Sequence, residues 1–148
     1  MKYLRQPARL AVLALLAVVV TISLTKPSSG GVGTISKADL SGSWQMTLYG
    51  QGGCGVGTTE VTFTLPTSGT TSAATSKSHS VGCGDQTTTG NTFTISSLAS
   101  NGSGTAGLSC GSSCGFAFTI QVSPDRSTFT LVDITDANNF LQGVAVHQ

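Results

Sequence analysis

The sequence predicts an all-β domain, a small antiparallel up-and-down barrel of about eight strands, with a two-sheet sandwich as the alternative architecture. Three observations carry this expectation. Apolar and polar residues alternate over short runs, as in strands with one buried face, and no window sustains the three-and-four spacing of an amphipathic helix. Ser and Thr supply 42 of the 148 residues, and the β-branched Thr suits the solvent face of a pleated sheet. Gly, Asn, Asp and Pro cluster between the runs, where hairpin links need them.

The amino end is of a different kind. Lys2, Arg5 and Arg9 precede a predominantly apolar run at residues 10–24, the layout of a secretory signal. Fifteen residues are short of the roughly 20 that span a bilayer as a helix, so residues 1–25 read as a signal peptide or, if uncleaved, a membrane anchor. The Gly- and Ser-rich residues 26–36 read as a flexible linker. A single domain is expected over residues 37–148, a length that supports one core.

Within that domain the runs follow in order. Trp44, Met46 and Leu48 alternate with Gln45, Thr47 and Tyr49, and Val61, Phe63 and Leu65 with Thr62 and Thr64. Residues 70–80 are polar almost throughout and form a strand only because their neighbours require a partner. Phe93 and Ile95 continue the pattern, followed by Ala106 and Leu108, then by Phe116, Phe118, Ile120 and Val122. Phe129 and Leu131 make a seventh run, and residues 140–147 the last. Asn101-Gly102 is the strongest hairpin signal between them.

Charge excludes one class of partner. Of 13 charged residues, three basic ones lie in the leader, and from Lys26 onward four basic residues face six acidic ones. Nothing there neutralises phosphates, so no nucleic acid partner is expected, and membrane contact is expected only through residues 1–25. An exported chain places its cysteines in an oxidising compartment, where they pair. In an eight-strand meander the first, third and fifth links share one rim, and these hold Cys54, Cys83, and the turn from Cys110 to Cys114. The expected bridges are therefore Cys54 to Cys83 and Cys110 to Cys114. An extra strand at residues 86–89, turning at Gly90, would break that shared rim. Zinc needs a second close pair of ligands that Cys54 and Cys83 do not provide.

Leu40-Ser41-Gly42-Ser43-Trp44, opening the first strand of an exported eight-strand meander, resembles the Gly-x-Trp start of the lipocalin and avidin barrels, the calycin group. The resemblance implies that Trp44 plugs the closed end of the barrel beneath a basic side chain from a late strand, with Arg126 as the candidate. The chain has a single Trp where avidins use several for biotin, and it ends without the helix that follows a lipocalin barrel.

Strings that suggest catalysis lack their structural context. Residues 50–55 fit Gly-x-Gly-x-x-Gly, but a strand, not a helix, follows. Gly-x-Ser-x-Gly occurs around Ser109 and Ser113 with no strand-to-helix turn, and His79 and His147 are the only histidines available to either serine. Glu60 stands on the polar face of its strand. Asp133, Asp136, Asn138 and Asn139 lack the Gly and terminal Glu of a calcium loop. No cofactor, metal or catalytic residue is expected. The apolar stripes leave one functional surface: Phe63, Phe93, Phe116, Phe118 and Phe129 all face inward, where they either fill the barrel or line a site for a small apolar ligand. The expected function is an exported, non-enzymatic binding module for such a ligand, in the barrel or at its mouth. The alternative is a solid-cored surface, envelope or protease-inhibitor-like interaction domain with a protein partner.

Overall fold

A computed structural model describes residues 33–69, 71–111 and 115–148. The expected leader, most of the expected linker, and Cys114 with Ser113 lie outside the described residues. Eight strands follow one another: β1 (Gly42–Gly52), β2 (Gly55–Leu65), β3 (Thr71–Ser80), β4 (Gly84–Leu98), β5 (Ser103–Ser109), β6 (Gly115–Val122), β7 (Thr128–Asp133) and β8 (Phe140–His147). Each pairs antiparallel with the next, and β8 closes onto β1 through pairs from Trp44↔His147 to Gln51↔Phe140. Closure excludes the sandwich.

The alternation seen in the sequence is the alternation of burial. In β6, Phe118, Ile120 and Val122 are buried while Thr119 and Gln121 are exposed. In β3 the same parity selects Ser72 and Ala74, residues too small and polar to advertise a strand by hydropathy. Residues 86–89 belong to β4 and not to a separate strand, so the first, third and fifth links do share one rim. Asn101-Gly102 turns as expected: Gly102 takes φ +85°, and the Asn101 side chain accepts hydrogen bonds from the Ser103 amide and hydroxyl.

The segment expected to be a linker contributes to the fold at its end. Ile35 is buried, and its amide donates to the Ser100 carbonyl. A short 3-10 helix, Lys37–Leu40, then crosses the opening at the β1 start and buries Leu40 completely. An extra residue in β4, between Ile95 and Ser97, leaves the carbonyls of Ile95 and Ser96 available, and the Lys37 ammonium takes both at 2.8 and 2.9 Å. This end is thereby sealed.

The two halves of the barrel differ in length. Strands β1 to β4 run 10 to 15 residues, whereas β5 to β8 run 6 to 8. The surplus lies at the cysteine-bearing rim, because β5 first pairs with β4 at Thr92↔Ser109 while β3 pairs with β4 out to Ser80↔Gly84. The β3–β4 hairpin therefore stands above β5 as an arm at the mouth.

Candidate functional site

The interior is filled from the sealed end upward. Phe93, Phe118 and Phe129 are fully buried and Phe63 nearly so. The ring centroids of Phe63 and Phe93 are 4.4 Å apart, and those of Phe93 and Phe129 6.0 Å. Such close-packed rings leave no chamber between them. Of the five phenylalanines expected to face a ligand, four are core and only Phe116 is half-buried, at the mouth. A Cβ placed on Gly52 would lie 3.9 Å from the Phe116 Cζ, so this ring reaches across the opening toward the end of β1.

At the sealed end, Trp44 is buried and its indole N–H donates to the Leu40 carbonyl at 2.8 Å. Its ring meets Phe129 and the His147 imidazole, each with centroids 4.9 Å away. Arg126, expected over the indole, is instead directed to Asp39, with Nε 3.6 Å from Oδ2, and to the Thr34 carbonyl at 3.4 Å. The first of these is an ion-pair distance, too long for a hydrogen bond. The register explains the exchange: closing an eight-strand meander sets the end of β8 opposite the start of β1, which places His147 beside Trp44. Asp39 also accepts from the Ser36 amide and hydroxyl, and these bonds, with Arg126 adding to them, hold its carboxyl below the usual carboxylate range.

At the open end, Cys54 and Cys83 form a disulfide with Cα atoms 5.5 Å apart. It joins the β1–β2 and β3–β4 links at the top of the arm. Beside it, the Gly82 amide donates to the Cys54 carbonyl and the Val81 amide to the Val56 carbonyl. Cys110 is also disulfide-bonded, while its expected partner lies outside the described residues.

Two polar side chains interrupt the apolar inner face below the arm, next to the packed rings. Asn91 is 1% exposed and stands two residues rimward of Phe93, opposite the inward Ala74. Its amide nitrogen donates to the Ser76 hydroxyl at 2.8 Å, but its Oδ1 has no partner. Asp133 stands two residues rimward of Leu131, opposite the inward Phe118. Its Oδ1 accepts from the Thr135 amide and hydroxyl, whereas Oδ2 is buried without a partner. Neither residue stands out in the sequence as an inner-face group. The available signal is parity, since Asn91 continues Phe93 and Ile95, and Asp133 continues Phe129 and Leu131.

The remaining candidates sit elsewhere. The Gly-x-Gly-x-x-Gly string forms the β1–β2 hairpin. Ser109 ends β5, its hydroxyl donating to the Gly111 carbonyl. His79 pairs on the surface with Asp85 at 2.7 Å, and His147 lies at the opposite end near the Ser41 carbonyl. The Asp136 carboxylate accepts from the amides of Asn138 and Asn139, which lowers its pKa and makes the segment a hydrogen-bonded turn. Among the described residues no helix is long and apolar enough to cross a membrane. Compared with known proteins, the chain matches no family model and no curated sequence.

Proposed function

We propose that the protein is an exported, non-enzymatic binding module of lipocalin-like form that takes a small ligand at its disulfide-bearing mouth. The observation that carries this reading is the pair of unpartnered acceptors, Asn91 Oδ1 and Asp133 Oδ2, on the inner face immediately above the packed rings. A buried acceptor without a donor costs about 1–3 kcal/mol, and a ligand that brings a donor recovers that cost. Phe116 and Leu141, each half-buried against the core, offer an apolar surface at the same rim. The ligand is thus a small molecule with an apolar body and at least one N–H or O–H. Export is supported by the leader-like amino end and by the Cys54–Cys83 bridge.

Native mass spectrometry and calorimetric titration with a set of apolar amines, alcohols and matched hydrocarbons test the reading. Binding of the donor-bearing members, weakened about tenfold or more by Asn91→Leu or Asp133→Leu, supports it; equal binding of the hydrocarbons, or none at all, overturns it. A second reading, an interaction domain with a solid core, is favoured by the outer face of β8. There Phe140, Val144 and Val146 are exposed, flanked by Tyr49 and Val132, with no charged side chain among them. This second reading predicts that no small molecule binds and that Val144→Lys abolishes capture of a protein partner.

A further inference from the structure

The arm above the mouth leaves one strand edge open. Residues 84–88 of β4 pair on one side with β3, and among the described residues no strand pairs with them on the other. The arm's opposite edge, β3, is covered by β2, and β1 beyond it by β8 out to Gln51↔Phe140. An uncovered edge presents N–H and C=O groups ready to accept another strand, and proteins usually blunt such edges with Lys, Pro or short length. This one is long and fully exposed from Asp85 to Gly90. It carries the sequence Gln86-Thr87-Thr88-Thr89 with no Lys or Pro, and its one charge, Asp85, is already engaged by His79. A bulge at Thr89-Gly90, where Gly90 takes φ +78°, ends the regular stretch.

We propose that this edge pairs antiparallel with the same edge of a second copy of the chain, extending the two arms into one continuous sheet about a two-fold axis. Self-complementarity points to a second copy over an unrelated segment. With Thr87 opposite its own counterpart, Gln86 faces Thr88 and the lone Asp85 falls at the end of the regular stretch, so no like charges meet and opposed residues share a face, as antiparallel pairing requires. The Cys54–Cys83 bridge holds the arm in place before association, which lowers the ordering cost. A single strand edge buries less than a standard interface, so the dimer is weak and appears only at high concentration.

Light scattering on the full disulfide-bonded chain, from about 10 μM to about 1 mM, tests this, because a weak self-association of this size dissociates within that range. The expected result is a rise from monomer mass to dimer mass. Thr87→Asp abolishes the rise, since it sets two carboxylates opposite each other while facing the cross-strand Lys77 within its own hairpin. Thr87→Cys cross-links under mild oxidation, because directly opposed strand residues lie within disulfide reach, whereas Thr47→Cys, on the outer face of β1, does not. Should a variant fail to fold, hydrogen exchange of the natural chain decides: amides from Asp85 to Gly90 slow as concentration rises. A chain that stays monomeric throughout overturns the proposal. So does association that survives Thr87→Asp but is lost in Val144→Lys, which would assign the contact to β8.

Discussion

Gly42 and Trp44 show why a glycine precedes the tryptophan by two residues. Gly42 takes φ +130°, and a Cβ there would collide with the His147 Nε2. The strand can therefore start at this angle, with the imidazole laid against the indole, only if position 42 has no side chain. Gly42→Ala is expected to destabilise the fold by about 1–3 kcal/mol, read as a fall in the urea midpoint. Asp125 answers to a different variable. The hydroxyls of Ser123 and Ser127, and then the Ser127 amide, hydrogen-bond its carboxylate and lower its pKa to about 2. A depressed folded-state pKa means that the native state favours the ionised form. Its stabilisation is complete above the unfolded value near about 4 and disappears as the pH falls toward about 2. Asp39 and Asp136 shift in the same direction. Urea unfolding is thus expected to be flat in this respect above about pH 5 and to weaken between about pH 4 and about pH 2, with a shallower fall in Asp125→Asn.

Among the elements, the short 3-10 helix at the sealed end shows what composition conceals. Its approach is rich in Gly and Ser and looks like a tether, yet Ile35 is buried and Lys37 fills the gap left by the β4 bulge. Charge-assisted hydrogen bonds of this kind contribute about 1.5–3 kcal/mol. Lys37→Met is expected to cost at least about 1 kcal/mol in thermal or urea unfolding, and to speed hydrogen exchange around Ser96 and Ser100. The strands themselves are legible in the sequence wherever large apolar residues alternate, as in β1, β2 and β6. They are faint in β3, where the inward positions are Ser and Ala. The Cys54–Cys83 bridge follows from counting links, and only the placing of Cys110 at the same rim rests on residues 86–89 remaining inside β4. The polar groups of the mouth escape notice because Asn91 and Asp133 sit beside turn-like sequence, where such residues normally serve the backbone. Only register and closure reveal that both point inward. The partner of Trp44 is hidden for a related reason: no local pattern says which late residue the closing strand brings round.

For the whole molecule, the unequal lengths of the two halves separate a packed core from an arm that stands above it. The lower barrel is a close-packed core, and the arm above it is held at its tip by one covalent link. Replacing Cys54 and Cys83 by Ser is expected to remove about 2–4 kcal/mol of stability, mostly by freeing the unfolded chain, with equilibrium unfolding as the measure. The same replacement is expected to accelerate exchange of the Val81 and Gly82 amides well before the lower barrel is affected. The distance between the two ends also gives the molecule an internal lamp. Its one indole is shut in at the sealed floor, away from Asn91, Asp133 and the arm. Emission at the tryptophan wavelength will therefore record loss of the core and stay dark to occupancy above it, so a quiet fluorescence titration leaves binding at the mouth undecided.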